Sequence, residues 1–268
     1  DSLVRRDYLQ RRRERERFFG ERIETEERAF NEDRDASIQI FENFIARYPN
    51  HPKYTPDAMF RLGELYFERS ALDFQELYDA AQAARDAGDL TAEDDLPTSP
   101  DFTPTVELYR DLAMRFPSYE RSDGVYYLIG YTLNEMGRPE EAVAAWLALV
   151  CANKYRYDPS WRPPPPDVST STASKYPPLT LDGRPLGAPV DGRFVDPYAT
   201  CKPFAPEARF VSETWFRIGE YHFDDFGGRN AIELSIAAYN RILEDTEDRN
   251  YNLALYKVAW AYYRASQY

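Results

Sequence analysis

The chain has 268 residues, enough for one extended or two smaller domains. Its 46 Asp and Glu outweigh 33 Lys and Arg, a net charge of −13 that argues against a nucleic-acid backbone or an anionic membrane surface as the main partner. No apolar run approaches the roughly 18 residues of a membrane-spanning helix. Aromatics make up 15 % of the chain, and the 21 Tyr suit helix faces that are part core and part contact surface.

Residues 1–34 read as a charged N-terminal helix. Arg and Glu fill the run RRRERER at 11–17, and only Gly20 interrupts the helix formers. Val4, Tyr8, Phe19, Ile23 and Phe30 follow a helical stripe that fails across 10–17. Nine Arg face eight acids in residues 1–30, so the negative charge lies downstream. A solvated helix braced by Arg/Glu pairs four apart is the first expectation, and a partner-binding helix the second. The chain opens at Asp1 without an initiator Met, which reads as a processed or trimmed N-terminus.

Residues 35–152 carry helix pairs. The segment 35–48 places Ser37, Phe41 and Phe44 on one face and ends at Pro49. The next helix starts with Thr55 as N-cap and Pro56 in its first turn, and aligns Leu62, Gly63 and Tyr66. An acidic spacer at about 72–103 is read as a helical extension followed by a loop from Asp94 to Pro104. VELYRDLAMRFP then supplies a helix with Tyr109 and Leu112 on its inner face, closed by Pro117. The stretch 117–150 is the clearest pair. Tyr126, Ile129, Gly130 and Leu133 share one helical face, Gly137-Arg138-Pro139 breaks the chain, and Ala142, Trp146 and Leu149 face back. Gly130 and Ala142 mark the closest approach, with Trp146 filling the space beside them.

Residues 153–208 hold 12 of the chain's 20 prolines, including Pro163 to Pro166, with Ser, Thr and Asp-Gly turns. This insertion is read as polyproline and turns lying on the surface, pinned by Trp161, Tyr176, Phe194 and Tyr198. Helices resume over 209–268. Trp215, Ile218, Gly219 and His222 form one face, Gly227-Gly228 breaks the chain, and Ser235, Tyr239 and Ile242 form the next. Leu255, Val258, Ala259 and Tyr262 start a further pair whose second helix would lie beyond Tyr268, as expected of a fragment of a longer array.

The Gly130…Ala142 spacing and the small–aromatic–apolar pattern resemble a tetratricopeptide (TPR) repeat, and roughly 190 of the 268 residues fit such pairs. Gly63, Gly130, Gly219 and Ala259 lie 67, 89 and 40 residues apart where that family repeats every 34 or so. YPNHPKYTPDAMFRLGELYF is similar to extracytoplasmic bacterial TPR proteins, among them the lipoprotein of the outer-membrane barrel-assembly machine and the coordinator of the Tol–Pal system. The lipidated N-terminal Cys of the first is absent. The resemblance implies an all-α solenoid of antiparallel helix pairs, located in the periplasm or at the outer membrane of a Gram-negative cell envelope, that scaffolds other proteins. It also implies a concave groove. Around each small residue, offsets of minus three, plus one and plus four give Phe60, Glu64 and Phe67; Tyr127, Tyr131 and Asn134; Phe216, Glu220 and Phe223; Tyr256, Trp260 and Tyr263. Such a groove suits a segment with apolar groups and a Lys or Arg. The same aromatics could instead pack one repeat on the next.

Cys151 and Cys201 flank the insertion and could close it as a disulfide, against the alternative of a buried Cys151 and an unrelated Cys201. His51 and His222 have no Cys or second His at metal-ligand spacing, and no phosphate loop or nucleophile elbow occurs, so neither catalysis, a cofactor nor a metal is expected. Asp94-Asp95 and Asp224-Asp225 read as solvated turn residues. A permanent subunit of a large envelope machine (motility, secretion or outer-membrane assembly) and a peptidoglycan-binding protein are the competing functional classes.

Overall fold

The computed structural model describes residues 2–89, 91, 96–163, 176–225, 228 and 230–265, and within the first helix only the backbone at 2–7, 9, 16 and 24. The side chain of Val4, and Asp94-Asp95, Pro164–Pro166 and Gly227, lie outside the described residues. The described residues form eight helices and one two-stranded sheet: α1 (Ser2–Arg47), α2 (Tyr54–Asp86), α3 (Thr103–Arg115), α4 (Ser122–Glu135), α5 (Pro139–Val150), β1 (Thr180–Leu181), β2 (Arg184–Pro185), α6 (Val211–Asp224), α7 (Ala231–Ile242) and α8 (Tyr251–Arg264). Among them no helix is long and apolar enough to cross a membrane. The chain divides into two compact units, residues 1–66 and 67–268.

In the first unit the expected break between residues 34 and 35 is absent. α1 runs through because nothing from Asn31 to Ser37 stops a helix, and the hydroxyls of Thr25 and Ser37 donate to the carbonyls of Glu21 and Asp33, each at 2.8 Å, instead of competing with the ladder. Tyr8, Phe19, Ile23 and Phe30 are all exposed along it. Thr55 is not the N-cap. Its hydroxyl bridges the turn, donating to Tyr48 O and accepting from His51 N at 3.0 Å. His51 takes over the cap, its Nδ1 accepting from Tyr54 N at 3.1 Å and its ring stacking on Tyr54. Ile38, Met59, Phe60 and Leu62 form the core of this unit, and the Tyr66 phenol donates to Glu42 at 2.6 Å.

In the second unit, neighbouring helices pack in chain order: α3 on α4, α4 on α5, α5 on α6, α6 on α7 and α7 on α8. The turn after α4 uses Gly137 at φ 69°, with Gly137 N donating to Asn134 O at 3.0 Å and Arg138 N to Leu133 O at 2.9 Å. That paired bonding is the Schellman closure, for which a left-handed Gly is the least costly residue. Pro139 then starts α5. Every residue from Glu141 to Cys151 is buried. A methyl group on Gly130 would overlap the Trp146 indole, whose Nε1 donates to Tyr127 O at 3.2 Å. Gly219 bears the same relation to the Tyr239 ring, so at both glycines the residue met is the large aromatic of the next helix.

α5 also buries charge. Arg110 of α3, 0 % exposed, pairs with Glu141 and donates through Nε to the Tyr157 hydroxyl at 3.0 Å, and Tyr157 in turn donates to Glu141 at 3.1 Å. Arg138 holds the second Glu141 oxygen. A buried ion pair is tolerable only when its remaining donors and acceptors are satisfied, and here they are shared among these four side chains and Glu107, which accepts from Arg110 at 3.0 Å.

Between α5 and α6 the chain is non-helical among the described residues. Asp182-Gly183, at φ 51° and 75°, turns β1 back onto β2, and Asp191-Gly192, at φ 49° and 77°, repeats the device under a Val190–Arg193 bridge. The segment is fastened at several points. A Cys151–Cys201 disulfide joins its ends, Asn153 exchanges hydrogen bonds with Thr200 O and Lys202 N, and Phe204 N donates to Leu149 O at 2.8 Å. Tyr198 is 0 % exposed, with its ring 5.1 Å from that of Trp215. Asn230 Nδ2 reaches Gly187 O at 2.8 Å, and the Arg209 guanidinium and N–H both engage Asp123 of α4.

Candidate partner-binding cleft

The twelve stripe residues fall into three environments. Phe60 and Glu64 belong to the unit 1–66, where Phe60 is buried and Glu64 pairs with Arg61 at 2.7 Å. The other ten belong to the unit 67–268. There the stripe residues of α2, α4 and α6 are met by residues from later in the chain. Phe67 stacks on Phe102 at 4.6 Å and approaches Tyr131 at 6.0 Å. Tyr127 stacks on Phe210 at 4.7 Å, and the Arg217 guanidinium lies 5.4 Å above the Tyr131 ring. Phe216 packs against Tyr239 at 5.6 Å. Phe223 lies between Lys257 and Arg264, whose cationic groups are 5.7 and 4.5 Å from its ring centre. Glu220 accepts from the Tyr239 phenol and pairs with Lys257 at 2.9 Å. The three stripe residues of α8, Tyr256, Trp260 and Tyr263, are exposed.

Two stripe residues, Asn134 and Glu220, line an open cleft of about 510 Å³ between α4, α5 and α6. Pro139, Glu140, Trp146, Arg217, Tyr221, Asp224 and Asp225 complete its walls. Four carboxylates therefore face one guanidinium. A second hollow of about 400 Å³ shares Glu140, Tyr221 and Asp225 with the first and continues beneath the insertion, where Tyr176, Pro177, Pro178, Leu179, Pro185 and Leu186 make an apolar wall. Tyr221 stands between the two. Burial, reinforced by the negative charges of Glu140 and Asp225, pushes its phenol up to about 12, so it stays a neutral donor. His222, the next residue of α6 and part of the wall of the second hollow, is driven down to about 3 by burial and stays uncharged, 2.7 Å from the Tyr198 hydroxyl.

Tyr221, Glu140, Arg217 and the Asp224-Asp225 pair escaped sequence reasoning. Asp224 and Asp225 stood out only as charged turn residues, and their signal is position: they follow the last turn of α6 on the side that faces the first turn of α5. No group of three or more His, Cys, Asp or Glu among the described residues is placed to hold a metal. A cleft with acids, a phenol and an apolar wall can hold a cationic group beside an apolar one. No family model, curated protein or solved structure matches the chain.

Proposed function

We propose that the chain is a TPR-like solenoid interrupted by a Pro-rich insertion, serving as a non-enzymatic protein-interaction scaffold of a bacterial cell envelope, in the periplasm or at the outer membrane. The partner segment enters the two-lobed cleft, a Lys or Arg among Glu140, Glu220, Asp224 and Asp225 and an apolar side chain under Pro177 and Leu186. The observation that carries this reading is the continuity of an acidic hollow with an apolar one through shared walls. The Cys151–Cys201 disulfide supports the envelope assignment, since such bonds persist in oxidising compartments.

The test is a titration of labelled peptides that place Lys-Leu, Glu-Leu or Lys-Ser at their centre. The Lys-Leu peptide should bind best, and Asp224→Asn with Asp225→Asn should weaken it by about tenfold, the loss of charge-assisted contacts of roughly 1.5 kcal/mol. Equal binding of all three peptides sinks the proposal. The permanent-subunit reading draws on the exposed aromatic faces of α1 and α8; it predicts a chain that aggregates when purified alone.

A further inference from the structure

Arg217 stands in the acidic cleft without a carboxylate of its own. The acids at helical reach from it on α6 are Glu213, four residues before, and Glu220, three residues after. Both are taken. Glu213 pairs with Arg249, and Glu220 pairs with Lys257 at 2.9 Å while accepting from the Tyr239 phenol. Among the described residues no carboxylate pairs with the Arg217 guanidinium, which is held instead 5.4 Å above the Tyr131 ring. That contact positions the cation and leaves its fork of N–H donors open to a carboxylate, the group whose geometry the fork matches.

The other end of the cleft has the opposite character. Asp224 lies seven residues beyond Arg217 on the same face of α6, about 10 Å along the axis, with Tyr221 between them. Glu140, in the first turn of α5, and Asp225 both act on the Tyr221 phenol, so they belong to the Asp224 end. The apolar hollow shares Glu140, Tyr221 and Asp225 with the cleft, and its walls do not include Arg217. The order along the cleft is therefore a guanidinium, a phenol, carboxylates and then the apolar wall of Pro177 and Leu186. Resting on the peptide-binding reading above, we infer that Arg217 is a specificity-determining residue and that the segment bound is dipolar. It carries an Asp or Glu as well as its Lys or Arg, placed three residues from the cation on the side away from the apolar residue. The carboxylate seats on Arg217, the cation at Glu140 and Asp224, and the apolar side chain under Pro177. An extended segment rises about 3.3 Å per residue, so three residues cover the distance of about 10 Å between the two ends.

The sign of the effect is diagnostic. A chain of net charge −13 disfavours an added negative charge on its ligand, so a gain from Glu runs against the overall field and requires a local cation. The experiment titrates the intact chain with end-blocked, labelled peptides centred on Glu-Gly-Gly-Lys-Leu and on the reversed order Leu-Lys-Gly-Gly-Glu. Each is compared with its counterpart bearing Gln for Glu. In one of the two orders the Glu peptide should bind about fivefold more tightly than the Gln peptide. Arg217→Gln should erase that ratio and Arg217→Lys should keep part of it, whereas Asp224→Asn with Asp225→Asn should weaken both peptides and leave the ratio standing. Because the ratio is the readout, a general loss of affinity from removing the Tyr131 contact cancels. Equal or weaker binding of the Glu peptide in both orders, or a ratio that survives Arg217→Gln, overturns the inference; if Lys-Leu still binds better than Glu-Leu and Lys-Ser, the proposed function stands without it. A Glu gain that depends on Arg217 in peptides indifferent to Lys and Leu overturns both readings, by making the cleft an anion site. No binding of any peptide also overturns both.

Discussion

His222 sits on the inner face of α6 with its ring against Tyr198 and Tyr221, where water cannot solvate an imidazolium. Its pKa falls from the ordinary 6.5 to about 3. In the unfolded chain the same imidazole binds a proton near pH 6.5, so the folded state is at full advantage above that value. Stability then declines as pH falls toward 3, by about 1.4 kcal/mol per pH unit. Urea unfolding at pH 6.5 and pH 5 should show a loss of about 2 kcal/mol in the native chain that His222→Gln largely removes. A loss of the same size in the variant would assign the pH dependence to other groups. Asp123 adds a second acid-sensitive contact. Burial opposes its charge, but hydrogen bonds from the Arg209 guanidinium and N–H and from Gly124 N–H outweigh burial and hold its pKa below the usual carboxylate range. That contribution is present above the unfolded Asp pKa and disappears as pH falls through the lower folded value.

Gly130 is a residue whose size alone carries information. Gly130→Ala pushes a methyl into the Trp146 indole, which is itself fixed by its hydrogen bond to Tyr127 O. The expected cost is about 1–3 kcal/mol, read from the urea midpoint, as for overpacking elsewhere. Gly137→Ala would be strained for a different reason, a φ of 69° in open space.

At the scale of elements, the insertion behaves as a docked part of the helical unit. Its hairpin turns are set by Asp-Gly pairs, but its position is set by contacts with α4, α5, α6 and α7. The Cys151–Cys201 bond closes a loop with a sequence separation of 50. On the chain-entropy model such a closure is worth about 4 kcal/mol against the unfolded state. Cys201→Ser should therefore lower the melting temperature and speed proteolysis between residues 176 and 210. The hydrogen bonds of Asn153 and the burial of Tyr198 should still keep the helices folded, measured as unchanged far-ultraviolet circular dichroism. Unaltered proteolysis in the variant would show that those other contacts suffice. The Arg110–Glu141–Tyr157 cluster works on the same junction, because Tyr157 belongs to the first residues after α5 and is held by charges of α3 and α5.

Across the whole molecule, the net charge of −13 is concentrated outside the near-neutral N-terminal segment, and part of it lines the cleft. Binding of a Lys-Leu peptide there should weaken as salt rises from low to physiological levels, where screening reaches about 8 Å. Replacing Tyr127 and Tyr131 together removes a stack on Phe210 and the seat of Arg217, and so perturbs packing along with any binding.

The helical class, the pairs around Gly130 and Gly219, the Asp-Gly turns and the cysteine pair were legible in the residues, because each rests on local spacing or on a residue with one conformational role. The continuity of α1 through residue 35 was misread for want of a breaker. The capping role of His51, the charge buried with Glu141 and the partnership of Tyr198 with His222 were not legible, since each depends on which side chains meet from distant parts of the chain. The same holds for the aromatic stripe. Periodicity by itself determined which aromatics share a face at each helix. Only the tertiary structure decided that Phe210 and Arg217 meet the stripe of α4 and that Tyr239, Lys257 and Arg264 meet that of α6, because coverage depends on what packs there and not on the helix that carries the ring.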